Sequence, residues 1–426
     1  MDIRIIEYKN LNEKIYVYEH KSGLSAFVVP KKGYSKKFAT YATNYGSVNS
    51  EFIIPGENNI TRVPEGIAHF LEHKLFDQED GSIMDKFSEL GADPNAYTGF
   101  NQTVYLFSCT DRFNENFNLL LRFVQNPYLT DESIEKERGI IGQEIKMYQD
   151  HPDWRVFFNY LGALYHNMPV KIDIAGTIES ISKIDKKTLL TCYNTFYHPS
   201  NMIILVVGDV DPDDIFNKVE SSIKTKESRS EIKRIFPQEP ETVNEKYVEL
   251  SMPVSTPQFQ MGFKDKAGFR GKALLEREVA VDMLLEMIVG KSSELYDSLY
   301  NEGLINSTFS FDYMIEEDYA HSIIGGESKD PIKVRDRIAA QIENIKAKGL
   351  DRSVFERIKR SKYGRFLRQL NSVENISYFF ISVYFKGAYV FDYAQIYDKI
   401  TFEYVNEVFN DHFDLEKLAL SVVKPV

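Results

Sequence analysis

The stretch VPEGIAHFLEHKLFDQ (Val63–Gln78) decides how the rest of the chain is read. Ile67, Leu71 and Leu75 recur every four residues, about one helical turn apart. Pro64 is tolerated in a first turn, where its missing N–H would have no partner. The spacing predicts a helix over 64–76. On that helix His69, Glu72 and His73 form HxxEH, a frame expected by chance about 0.02 times in a chain with 8 histidines among 426 residues. Positions i and i+4 share one helix face, so both imidazoles can reach a single ion while the carboxylate at i+3 stands beside them. Two neutral imidazoles suit Zn2+, which as a catalytic ion takes three protein ligands and keeps one position open. Glu72 is the expected general base, placed to take a proton from water.

Outward from this helix, Thr130 caps a longer one that carries Ile134, Ile141 and Ile145 on one side. Glu137 and Glu144 lie seven apart on it, two turns along one face. By themselves they would be ordinary solvated charges; the histidine pair makes them candidates, one to ligate and one to support. Glu144 is the expected third ligand, because Glu137 sits in the first turns near the cap, and Glu137 is the expected catalytic support. Helices are also predicted over 82–90 and 112–125, and the aromatic run Ala96–Cys109 (AYTGFNQTVYLFSC) reads as one or two strands. Lys14–His20 and Ser25–Pro30 flank a Lys-Ser-Gly turn, and Phe38–Tyr45 is a third strand; together they suggest a sheet edge. Met202–Val207 (MIILVV) has the branching of a buried strand.

Composition narrows the function class. The chain is 43% hydrophobic and 27% charged, enough for two ordinary cores. A net charge of −12 argues against nucleic acid or an anionic membrane as partner. Two cysteines, Cys109 and Cys192, form no CxxC and no disulfide framework, and are expected as buried thiols in a reducing compartment. The first twenty residues carry charges every few positions and no signal-like apolar run, and no membrane-spanning run occurs elsewhere, so a cytoplasmic location is expected. His151, His166, His198 and His321 have no partner spacing and are expected to be structural or solvated, and Trp154, which follows HPD, is expected to pack rather than bind.

The charged, proline-bearing stretch Ser221–Asn244 divides the chain into domains at 1–222 and 245–426 joined by a linker over 223–244. After it a similar order recurs: a strand at 258–263, helices at 274–289 and 294–301, strands, then helices at 331–348 and 351–369. Leu129-Thr130 before Ile134 matches Leu350-Asp351 before Phe355 at an offset of about 221, which suggests a duplicated α/β unit. Carried across at 220 or 221, His69 and His73 fall on Val289 or Gly290 and Ser293 or Glu294, and Glu144 on Gly364 or Arg365, so the second half is expected to hold no metal site.

At HxxEH and Glu144, with Glu144 71 positions after His73, the sequence resembles the pitrilysin/insulinase family of inverted-motif zinc peptidases, which includes the mitochondrial processing peptidases. GADPNAYTGFNQTVYLF (Gly91–Phe107), DIAGTIESISKI (Asp173–Ile184) and YHPSNMIILVVGDVD (Tyr197–Asp211) extend the likeness. The resemblance implies an α+β fold of two related α/β roll domains in tandem, each an antiparallel-rich sheet with packed helices. It also implies a clamshell on dimerisation, whose chamber encloses peptides or unfolded segments for hydrolysis. In the family a strand matching Asn95-Ala96-Tyr97-Thr98 pairs with the substrate backbone; read from residues alone, that stretch is a turn leading into a strand. Active members carry an Arg/Tyr pair in the second half that steadies the scissile carbonyl. Here Tyr300 and Asn306 stand where it would fall, and no arginine occurs between Arg277 and Arg335. The resemblance therefore implies the zinc-bearing subunit of a heterodimer whose homologous partner brings the pair, with a homodimer as the competing arrangement. A non-catalytic assembly or chaperone-like subunit is the alternative, and the intact HxxEH speaks against it.

Overall fold

A computed structural model describes residues 2–79, 81–225 and 227–426. It is α+β, with two compact units. Unit 1 comprises Met1–Lys146, Ile172–Phe236 and Leu370–Ile381; unit 2 comprises Met147–Lys171, Pro237–Gln369 and Ser382–Val426. The passage between Phe236 and Pro237 falls inside the stretch expected as a linker, of which residue 226 lies outside the described residues. The units are not contiguous, however: a segment from each half of the sequence is built into the unit of the other half.

Unit 1 has a seven-stranded sheet made of β1 (Ile3–Tyr8), β2 (Glu13–Glu19), β3 (Ser25–Pro30), β4 (Lys37–Thr43), β9 (Asp93–Thr98), β10 (Thr103–Cys109) and β11 (Met202–Gly208). Short strands β5 (Glu51–Ile53), β6 (Ile60–Arg62) and β12 (Lys233–Arg234) form a separate sheet, and β7 (Asp77–Gln78) pairs with β8 (Gly81–Ser82). The large sheet runs β1-β2-β3-β11-β4-β10-β9. β3 and β4 are therefore central rather than at an edge. The apolar run of β11 inserts between them, parallel to β3 and antiparallel to β4, a pairing across more than 150 residues that local patterning does not supply. On this sheet lie α1 (Ile67–Phe76), α2 (Ile83–Glu89), α3 (Phe113–Val124), α4 (Asp131–Gln149), α6 (Ile178–Ile181), α7 (Lys186–Phe196) and α8 (Pro212–Ser222), while α5 (Pro152–Leu164) belongs to unit 2. Their buried faces, including Phe70, Leu71, Phe117, Leu120 and Phe196, close the core against Tyr41, Tyr105 and Ile204.

Unit 2 is built on β13 (Tyr247–Met252), β14 (Gln258–Asp265), β15 (Ser310–Ile315), β16 (Ala320–Glu327) and β17 (Leu418–Pro425), ordered β13-β17-β14-β16-β15. Only β13–β17 is parallel. This repeats the β3-β11-β4-β10-β9 part of unit 1 strand for strand, with the same single parallel pair. Its helices are α9 (Lys272–Val289), α10 (Glu294–Asn301), α11 (Pro331–Lys348), α12 (Arg352–Gln369), α14 (Asp392–Lys399) and α15 (Phe402–His412), together with α5 against β13, β14 and β17. α13 (Val373–Tyr384) lies up to Ile381 in the third segment of unit 1: Phe380 packs on Phe27 and Tyr378 on Phe38 and Tyr97. α4 begins at Asp131 and α12 at Arg352, 221 apart, but α2 begins at Ile83 and α10 at Glu294, 211 apart. A fixed shift therefore misplaces α1. Its counterpart, following the matching strand and preceding the matching helix, is α9.

Candidate active site

The helix that carries HxxEH starts three residues later than the proline suggested. Gly66 adopts a left-handed conformation (φ 85°) that ends the preceding turn, so α1 begins at Ile67. No side chain fits there, because a Cβ on Gly66 would lie 2.4 Å from the Ala175 carbonyl oxygen. Gly176 is the reciprocal case, with φ +75° and a Cβ position 2.7 Å from the Glu65 carbonyl oxygen. The Ser180 hydroxyl, in a capping box with Thr177, also donates to Glu65 O at 2.9 Å. The Asp173–Ile184 segment thus grips the start of α1. It also holds α4, since the Arg138 guanidinium donates to the Ile184 carbonyl at 2.9 Å.

α4 is capped by a Thr130–Ser133 exchange of hydrogen bonds and buries only Ile134, Ile141 and Ile145. Glu137 and Glu144 consequently face α1. His69 Nε2 lies 3.7 Å from Glu144 Oε1 and His73 Nε2 lies 3.7 Å from Glu144 Oε2. These separations are too long for hydrogen bonds but close to the roughly 3.4 Å between two ligands of one tetrahedral zinc. His69, His73 and Glu144 form a donor group spanning at most 4.8 Å, the only group of this kind among the described residues. The donor set fits a zinc ion by both chemistry and spacing.

Glu137 Oε1 stands 2.9 Å from His73 Nδ1, where it accepts that ring proton and leaves Nε2 free to ligate. Nδ1 of His69 is buried with no such acid. Burial, then neighbouring His73, pushes His69 down to about 3, so its ring is held in the neutral, ligating form. Burial also opposes charge on His73, but the Glu137 hydrogen bond and the fields of Glu72, Glu137 and Glu144 outweigh it and raise its pKa. Glu72 is only 8% exposed, and burial raises its carboxyl above the usual range. Its Oε2 accepts from the Thr98 hydroxyl at 2.7 Å.

Asn95 and Ala96 lie on β9, at the outer edge of the large sheet and against α1. Asn95 is exposed, and its Oδ1 accepts from the Ala96 N–H at 2.9 Å. The stretch read locally as a turn is thus an edge strand in register with β10, Asn95 opposite Leu106 and Ala96 opposite Tyr105.

Elsewhere, the sequence-predicted features have local roles. Trp154 stacks on Tyr148, and His321 Nδ1 pairs with the Tyr165 hydroxyl at 2.9 Å. Tyr300 is exposed and stacked on Tyr296, while Asn306 is taken up by Glu327 and Thr308. His20, which has no signature in the sequence, contacts Ser22 Oγ at 2.6 Å and Glu220 at 3.2 Å. This has the outline of a serine–histidine–acid relay, but Ser22 is fully buried and no substrate can reach it. In unit 2, α9 and α12 are joined by ion pairs instead of a metal group: Lys362 to Asp282 (2.7 Å) and Glu286 (3.2 Å), and Arg365 to Glu286 (3.0 Å).

The chain resembles known proteins along its whole length. Residues 56–178 match the model of insulinase (peptidase family M16), and residues 183–362 match that of the peptidase M16 inactive domain. A Bacillus subtilis (strain 168) protein described as an uncharacterized zinc protease, YmfH, is 42% identical over 429 residues, covering 99% of each chain. The chain belongs to the M16 peptidase family. A putative M16-like peptidase from Alicyclobacillus acidocaldarius superposes with TM-score 0.94 at 35% identity, over 99% of this chain and 100% of that one. A Helicobacter pylori protease shares the fold with TM-score 0.81 at 21% identity, over 97% and 100%. The M16 relatives are thus named zinc proteases, and among the described residues no helix is long and apolar enough to cross a membrane.

Proposed function

We propose that this chain is a zinc-dependent metalloendopeptidase that hydrolyses peptides or unfolded segments enclosed in a chamber, acting as the zinc-bearing subunit of a dimer. The observation that carries the reading is the convergence of His69, His73 and Glu144 beside a buried Glu72. His69, His73 and Glu144 would hold the ion, with Glu137 orienting His73. When bound, zinc polarises a peptide carbonyl and acidifies water so that it ionises near neutral pH. Glu72 takes the proton from the attacking water, and its buried, raised carboxyl suits returning that proton to the leaving amine. The exposed edge at Asn95 and Ala96 offers backbone groups to an extended peptide, a mode that selects length and extendedness over side-chain identity.

The missing arginine supports the subunit assignment. Neither Tyr300 nor Asn306 is a cation able to stabilise a growing oxyanion, a contribution of about 3–4 kcal/mol per donor. The homologous partner is proposed to bring an Arg/Tyr pair. A cytoplasmic location is part of the same reading, supported by two buried free thiols. Metal analysis of the purified chain, with peptide cleavage assayed alone, with the partner and after chelation, tests it. About one zinc per chain and chelator-sensitive cleavage are expected; zinc retained in the His69→Ala/His73→Ala double variant would sink the assignment.

A further inference from the structure

We propose that Thr98 is a positioning residue that fixes the carboxylate of Glu72. The inference rests on the peptidase reading above and adds to it a residue 26 positions away from the base. The Thr98 hydroxyl donates its single proton to Glu72 Oε2 at 2.7 Å. That commits one carboxylate oxygen, the Thr98 backbone N–H also bonds the carboxylate, and the charges of His73 and Glu144 act on it. Without a donor a glutamate side chain is free to rotate about its terminal bond, since that torsion is broad. Glu72 is nearly buried on a helix packed against β9, and the alternatives for its carboxylate are few but not none.

Thr98 is itself well placed to impose direction. Its backbone is paired with Thr103 on β10, and its side chain shares a face with Ala96, which packs on the unit 1 core. The Thr103 hydroxyl is engaged mainly by the Tyr45 carbonyl at 2.8 Å and stands 3.5 Å from the Thr98 oxygen, so it does not compete for the proton that Glu72 receives. Tyr97, on the opposite face, is packed by Tyr378, which restrains the strand from behind. β9 is also the edge strand that bears Asn95 and Ala96. A peptide laid along that edge and the base that acts on it are therefore referenced to one strand, and Thr98 is the link through its hydroxyl and its backbone N–H.

Thr98→Val keeps the shape and the backbone N–H that also bonds Glu72 but removes the hydroxyl donor, whereas Thr98→Ser keeps both donors. In the zinc-loaded protein, supplied with its partner if turnover requires one, Thr98→Val should keep its zinc content and keep KM within about twofold. Its kcat should fall about tenfold or more, part of the effect of a well-placed base, and Thr98→Ser should recover most of it. Crystal structures should show the Glu72 carboxylate displaced in Thr98→Val and held in Thr98→Ser. An unmoved carboxylate in Thr98→Val overturns the proposal, as does unchanged kcat, loss of zinc, or failure of serine to rescue. Absence of cleavage by the unaltered protein would instead sink the peptidase reading, and the carboxylate position in Thr98→Val would still decide this one.

Discussion

Replacing Glu137 by glutamine keeps the size of the side chain and removes the charge that faces His73 Nδ1 at 2.9 Å. As a carboxylate, Glu137 fixes the proton on Nδ1 and presents the Nε2 lone pair toward the position shared with Glu144. A hydrogen bond to a charged group contributes about 1.5–3 kcal/mol, and a neutral acceptor keeps about half of that. The loss should be about 1–1.5 kcal/mol, which lowers zinc affinity about tenfold, the lower end of what removing such an outer partner does. Glu144→Gln takes away one of three ligands together with its charge, and should weaken binding at least about tenfold more. Competition with a chromophoric chelator at fixed pH, on protein whose far-UV spectrum is unchanged, measures both. Equal losses, or a larger one for Glu137→Gln, would refute the division of the two acids into orienter and ligand.

Gly176→Ala should destabilise unit 1 by about 2–3 kcal/mol, from a left-handed residue and a Cβ 2.7 Å from Glu65 O, and also weaken zinc binding by shifting α1; unchanged urea stability would contradict the clasp. A fragment of residues 1–236 lacks the 370–381 segment and so uncovers Phe27 and Phe38, each worth about 2–3 kcal/mol of burial. It should melt lower than the same fragment fused to that segment, and equal melting would show the segment to be dispensable. Burial, then His412, pushes His321 down to about 3, far under the roughly 6.5 of an unfolded histidine. The unfolded chain binds more protons below about pH 6.5, so this group costs about 1.4 kcal/mol of stability per pH unit as pH falls toward the folded value. His321→Gln should flatten the acid side of the stability profile in urea titrations; an unaltered slope would refute the neutral burial.

What was legible in the sequence was what depends on short spacing. His69 and His73 share a helix face by periodicity alone, and Glu137 and Glu144 share another, so the four side chains now seen to converge could be named before their helices were placed. The start of α1 was missed because Gly66, not Pro64, sets it, through a close approach to Ala175 that lies over 100 residues away. β11 joining β3 to β4, and the exchange of 147–171 and 370–381 between units, are long-range choices with no local signature. The same holds for the Thr98–Glu72 bond. A repeat was visible at α4 and α12, yet insertions change its offset, so α9 with its ion pairs was overlooked as the counterpart of the metal helix.

The most direct measurement is peptide hydrolysis by Glu72→Gln beside the unaltered chain, both at equal zinc content and with the proposed Arg/Tyr-bearing partner present. Glutamine preserves the side chain's shape but cannot accept a proton, so zinc should stay at about one per chain while turnover falls by about 10²-fold or more. Undiminished turnover in Glu72→Gln at full zinc would contradict the proposed chemistry at this site.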